Sequence, residues 1–313
     1  MKRFIYILIV LTISVGIVAG CTSEGGESNE NSSSSQTVLV THELGETEVK
    51  QNPENVIVFD FGMLDTLDYL GIDVVGVPQQ NIPDYLEQYH DDKYKNIGSL
   101  KEPDYETIAN IDPDLIIISG RQADQYDELK KLGPVVHLGI DFENYYDSFQ
   151  ENVITIGEIF DKEAEIEEAL SSIDEQINNL ANQAEEFDKE ALIILANDDK
   201  ISAYGPNSRF GIIHDLFGIP AIDENIEAST HGMNVSFEYV TEMDPDLLYV
   251  IDRSAAIGEE SAAKNIVENP LMNSTKALQN EDIYYLNPDV WYLSGGGILS
   301  VQEMVKEIKA SLQ

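Results

Sequence analysis

The sequence predicts an α/β fold: two α/β lobes joined by a single long helix, with a ligand cleft between the lobes. Three observations predict it. Short apolar runs alternate with helix-length segments in two separate series, a glycine- and proline-free stretch rich in Glu, Ala, Ile and Gln lies between the series, and one helix-turn-strand unit recurs in each. Short apolar runs bounded by turn residues are the signature of strands buried on both faces, which need helices on both sides.

The first series opens with Val56-Ile57-Val58-Phe59 as a buried strand and Met63 to Leu70 as a helix ending at Gly71, followed by Val74 to Val77 as a second strand. Asp112-Pro113-Asp114 introduces Leu115 to Ile118, and Gly133-Pro134 introduces Val135-Val136. This places an N-terminal lobe over 38–160. Residues 161–188 follow as the linking helix, roughly 40 Å long at 1.5 Å per residue. Ala191 to Leu195, Leu247 to Ile251 and Ile283 to Leu286 are the strands expected in a C-terminal lobe over 189–313.

An internal repeat ties the two series together. Glu106, Pro113-Asp114-Leu115 and Arg121 recur at the same spacing as Glu238, Pro245-Asp246-Leu247 and Arg253. In each copy a glutamate-bearing helix leads through Asp-Pro-Asp into an apolar strand, with an arginine just past its carboxyl end.

At the N-terminus Lys2 and Arg3 precede an apolar run from Phe4 to Val18 that ends in Val18-Ala19-Gly20-Cys21. This reads as a lipoprotein signal peptide over 1–20, with Cys21 as the lipidation site. The expected location is the outer face of the cytoplasmic membrane, anchored through Cys21. As the sole cysteine it leaves no internal disulfide. Residues 21–37, dominated by Ser, Asn, Glu and Gly, bury too little to repay the entropy of ordering and are expected to form a flexible tether.

The formal net charge is −40, and loss of Lys2 and Arg3 with the signal peptide would take it to about −42. Such a surface excludes nucleic acid as a partner. Against that excess the three remaining arginines, Arg121, Arg209 and Arg253, stand out. Ligands of open α/β sheets bind beyond the strand carboxyl ends, where Arg121 and Arg253 are both expected, facing one cleft from opposite walls. Arg209 lies in the turn-rich Tyr204 to Phe210 segment and supplies a third wall. Guanidinium keeps its charge at any working pH and offers a planar fork of donors suited to chelating oxygens. His231 and Tyr292 are expected in polar loops, and imidazole and phenolate both bind Fe(III). Gly295 to Gly297 permit close approach of a bulky ligand, but lack the form of a phosphate cradle.

These segments, namely Arg121, Ser208-Arg209-Phe210-Gly211, Thr230-His231-Gly232, Ile251-Asp252-Arg253 and Trp291-Tyr292-Leu293 with its glycines, resemble the catecholate siderophore-binding lipoproteins, petrobactin-type binders included. That group belongs to the helical-backbone substrate-binding proteins of ABC importers. The resemblance implies a monomeric, non-enzymatic carrier without an intrinsic cofactor, whose cargo is a ferric catecholate siderophore and whose partner is a permease. It further implies that Arg121, Arg209 and Arg253 surround the catecholate oxygens. His231 and Tyr292 would complete the iron shell when the chelator is tetradentate, and Glu106 and Glu238 would dock the permease. Haem or cobalamin capture is the alternative within the family. The five histidines show no tight spacing for zinc or manganese. A surface siderophore esterase would need a nucleophile, and neither a GxSxG elbow nor a Ser/His/Asp grouping is found.

Overall fold

The computed structural model describes residues 36–313 apart from Glu268; the signal peptide, Cys21 and nearly all of the tether lie outside the described residues. The first described elements are β1 (Thr37–His42) and β2 (Gly45–Lys50), an antiparallel hairpin. A five-stranded parallel sheet follows, built from β3 (Val56–Val58), β4 (Gly76–Val77), β5 (Lys95–Asn96), β6 (Leu115–Ile118) and β7 (Val135–His137) in the order β5-β4-β3-β6-β7. β3 and β6 occupy its middle and are fully buried, as their unbroken apolar composition requires.

The second sheet contains β8 (Ala191–Asn197), β9 (Lys200–Tyr204), β10 (Met233–Val235), β11 (Leu247–Asp252) and β12 (Ile283–Leu286), ordered β10-β9-β8-β11-β12. β8, β11 and β12 run parallel, while β9 and β10 add an antiparallel edge. The chain is thus two α/β lobes, with more strands than the apolar runs alone signal.

The helices that position the site are α1 (Phe61–Tyr69), α2 (Tyr105–Ile111), α3 (Tyr145–Phe160), α4 (Glu163–Ala184), α5 (Phe237–Met243) and α6 (Ile298–Ala310). The link expected over 161–188 is helical over the 22 residues of α4, about 33 Å long. Asp161, at φ 53°, ends α3 and turns the chain into it. Ile166, Ala169, Leu170, Ile173, Ile177, Leu180 and Ala184 form its buried stripe at three- and four-residue spacing. α6 packs against both α4 and α1, and one continuous core cluster runs from Val56 through Ile173 and Ile193 to Ile308.

The repeat has a structural cause in each half. The N-caps Asp104 of α2 and Ser236 of α5 accept from the backbone of Thr107 and Tyr239, and both helices end on a left-handed aspartate, Asp112 at φ 54° and Asp244 at φ 51°. Asp114 then accepts from the backbone N–H groups of Glu54 and Asn55, just before β3, and Asp246 accepts from Glu190, just before β8. Each Asp-Pro-Asp therefore stops a helix and pins the start of the neighbouring strand.

Candidate functional site

Arg121 sits in a 3₁₀ turn, Gly120–Gln125, directly after β6. Gln122 holds that turn by accepting from Ser119 N–H and donating to Leu100 O. Arg253 opens a short helix directly after β11. It is fixed by Asp252, whose carboxylate accepts from Ala255 N–H, Ser261 Oγ and Ala263 N–H. Arg209 follows β9 in a loop turned by Asn207 at φ 56°, where Asp215 accepts from the Asn207 N–H at 2.7 Å.

Tyr292 is not in a loop, as expected from its polar surroundings. It lies in a π-helical turn, Asp289–Leu293, closed by donation from Ser294 N–H to Asp289 O. Such turns widen the backbone by one residue and concentrate at functional sites. The turn is gripped at both ends: Asp289 Oδ2 accepts from Asp84 N–H at 2.8 Å, and the Tyr85 hydroxyl donates to Ser294 Oγ at 2.7 Å. Asp65 of α1, fully buried, accepts from Leu299 and Ser300 N–H at the start of α6.

The three arginines meet on Tyr292. Its backbone carbonyl accepts from Arg121 Nη2 and Arg209 Nη2, each at 2.7 Å. Its phenolic oxygen accepts from Arg253 Nε at 2.9 Å, while Arg253 Nη1 donates to Asn197 Oδ1 at 2.7 Å. The Arg209 guanidinium lies 4.3 Å over the Tyr292 ring, close enough for cation–π attraction. Among the described residues none of these arginines forms an ion pair with a carboxylate; those pairs are made by lysines and His137.

The electrostatics follow from that placement. Burial alone pushes the Tyr292 phenol up, but Arg209, Arg253 and Arg121 together hold it below its ordinary value. Burial and the neighbouring Arg121 charge hold Arg209 below its own ordinary value. Cationic charge is concentrated here without an internal counter-charge.

A cavity of about 220 Å³ opens beside this cluster, lined by Arg209, Arg253, Tyr292 and His231 together with Asn197, Lys200, Ser202, Tyr204, Thr230 and Asn234. Pockets for drug-sized ligands hold roughly 300–1,000 Å³, so this one seats part of a large ligand. Arg121 reaches the cluster from the other lobe through the Tyr292 carbonyl. Sequence reasoning missed Asn197, Lys200, Ser202 and Tyr204, which the β8–β9 hairpin delivers; its two-residue turn, Asp198-Asp199, was the available signal.

Gly295 to Gly297 serve a different end from the ligand approach expected of them. A Cβ at Gly297 would lie 2.3 Å from Gly62 O and 2.4 Å from the Asp65 carboxyl, and one at Gly296 would lie 2.6 Å from Ile140. At Gly297 the close approach is of α6 to α1, and at Gly296 it is of the chain to Ile140, in the loop after β7. Glu106 and Glu238 are both exposed, each the second residue of its helix. Among the described residues no group of three or more His, Cys, Asp or Glu is placed to hold a metal ion, and no helix is long and apolar enough to cross a membrane.

Two α/β lobes, a helix between them and cationic side chains where strand carboxyl ends converge describe a ligand-capture protein. The chain belongs to the periplasmic binding protein family, whose model matches residues 56–290. It is 46% identical over 317 positions to the petrobactin-binding protein YclQ of Bacillus subtilis, with 100% of both chains covered. The crystal structure of that protein superposes with a TM-score of 0.87 at 49% identity, over 89% of this chain and 99% of that one. The periplasmic catecholate-siderophore binding protein VctP of Vibrio cholerae superposes with a TM-score of 0.83 at 34% identity, over 88% of this chain and 100% of that one. The ferric-anguibactin-binding protein FatB of Vibrio anguillarum is 30% identical over 311 residues, 95% of this chain and 97% of that one. All three are binding proteins.

Proposed function

We propose that this chain is the extracytoplasmic substrate-binding lipoprotein of an ABC importer, and that it captures a ferric catecholate siderophore for iron uptake. The observation that carries the reading is the convergence of Arg121, Arg209 and Arg253 on Tyr292 without a carboxylate among their partners. A ferric tris-catecholate carries about three negative charges, and the acidic surface repels it at long range. Salt screens that field beyond roughly 8–10 Å, so the arginines act at contact. The names of the relatives, which bind petrobactin, anguibactin and a catecholate siderophore, point to the same cargo class.

In this reading the guanidiniums hold the catecholate oxygens. Tyr292, whose phenol the arginines already bias toward phenolate, and His231 fill the two iron positions that a tetradentate chelator leaves open. Iron is cargo, and no resident cofactor or catalytic step is required. Glu106 and Glu238 are the paired docking acids for the permease, one from each copy of the repeat. Cys21 carries the lipid that holds the protein, as a monomer, on the outer face of the cytoplasmic membrane, with 21–37 as tether between anchor and lobes.

Titration with ferric complexes of petrobactin-like, linear bis-catechol and hydroxamate chelators, read by native mass spectrometry, tests the cargo. The bis-catecholates should bind tightest, and preference for hydroxamates would overturn the catecholate assignment.

A further inference from the structure

Two buried side-chain polar atoms lack a hydrogen-bond partner among the described residues, His137 Nε2 and the Tyr204 hydroxyl. Only Tyr204 lines the site cavity. It ends β9 with 1% of its surface exposed, and its ring packs on Phe210 with centroids 4.6 Å apart. A buried hydroxyl without a partner costs about 1–3 kcal/mol, and other buried tyrosines of this chain avoid that cost. Tyr249 shares a hydrogen bond with Ser311, and Tyr89 donates to Asp68 Oδ1 at 3.0 Å.

The surroundings of Tyr204 are those of the site. The charges that act on it come from Arg209 and Tyr292. Gly232, beside His231, passes so close that a Cβ there would lie 2.7 Å from both Cε2 and Cζ of the Tyr204 ring. The loop carrying His231 therefore closes down on the hydroxyl end of the ring. Burial pushes the phenol up to about 12, so at working pH the group is a donor awaiting an acceptor.

We propose that Tyr204 is a further ligand-binding residue, whose hydroxyl donates a hydrogen bond to an anionic oxygen of the bound chelator. The inference rests on the siderophore-capture reading above. The hydroxyl end of the ring is covered in the free protein by the loop that carries Gly232, and the bound chelator reaches it where that loop yields. Its vacant donor then meets an oxygen already held by the arginines, and the desolvation cost borne by the free protein is recovered on binding.

Tyr204→Phe is a direct test, because it removes only the oxygen. The probe is the ferric complex of a linear bis-catecholamide, titrated into wild type and variant by fluorescence, with thermal unfolding of both free proteins alongside. Hydrogen bonds to charged groups are strong enough that Kd should weaken about tenfold or more, while the free variant melts no lower than wild type. Affinity within twofold of wild type overturns the proposal, and so does a weaker Kd accompanied by a lower melting temperature of the free protein. Wild type that fails to bind the probe overturns the capture reading and this inference with it.

Discussion

Arg121, from the N-terminal lobe, donates to the backbone carbonyl of Tyr292 across 2.7 Å. Arg209, from the C-terminal lobe, donates to the same oxygen at the same distance. One carbonyl in a π turn thus organises cations from both lobes. If these cations bind the cargo, replacing any of Arg121, Arg209 or Arg253 by Ala should weaken ferric bis-catecholate binding about ten- to hundredfold, the range for hydrogen bonds to charged groups. Arg253→Lys should recover only part of the loss, because lysine keeps the charge without the fork. Trp291 is a natural reporter: it is buried, donates to Glu307 and adjoins Tyr292. Unchanged affinity in all three alanine variants would sink the cargo assignment.

Tyr292→Phe and His231→Ala separate two classes of chelator. With a tetradentate ferric complex each substitution should shift the visible charge-transfer band and weaken binding. With a hexadentate complex, whose six donors fill the iron shell, the spectrum should stay as in wild type. Identical spectra with both chelators would exclude direct ligation.

Glu106→Ala and Glu238→Ala should leave ferric-siderophore affinity within twofold of wild type yet reduce uptake into cells carrying the importer, the double variant most. Both side chains are exposed, so their loss should not disturb the fold. Uptake equal to wild type in the double variant would remove them from the docking surface.

Asp65 gives the pH dependence of stability. Burial raises its carboxyl to about 7, and the hydrogen bonds from Leu299, Ser300 and Tyr85 only partly oppose this. An unfolded Asp titrates near pH 3.9, so between about pH 4 and 7 the folded chain holds a proton that the unfolded chain has released. The stability from this group is present below about pH 4, falls as pH rises through about 7, and is constant above. Relative to Asp65→Asn, wild type should therefore gain melting temperature as pH falls from 8 to 5. Parallel curves for the two proteins would refute the assignment.

Gly297→Ala should destabilise the fold by about 1–3 kcal/mol, the usual range for overpacking, because its Cβ would collide with Gly62 O and the Asp65 carboxyl. Denaturant unfolding measures it directly. An unchanged midpoint would mean that α6 and α1 separate at little cost.

Much of this architecture was legible because its central strands are built on short apolar runs introduced by turn residues. β3, β6, β8 and β11 all follow that pattern, and the repeat around Glu106 and Glu238 marked equivalent helix-strand units. β4 falls within the expected Val74 to Val77 run, but β5 has only two residues and β10 is only partly buried, so neither of these two carries a composition that stands out. In the site, the arginines were visible because positive charge is scarce. The π turn was not, since an extra residue in a helical turn leaves no periodicity over five positions. Tyr204 was invisible for a different reason: only packing tells an orphan hydroxyl from a satisfied one.

The partners of the three arginines also bear on how fast cargo is exchanged. Three bonds to the backbone carbonyls of Tyr292 and Leu293, one to a phenol and one to an amide hold the guanidiniums in place, and these acceptors are uncharged unless Tyr292 ionises. An arriving anion therefore breaks no ion pair to gain its own, and a departing one leaves no cation stranded without an acceptor. Loading and unloading become a trade between weak and strong acceptors on the same donors, which suits a carrier that must give up what it has caught.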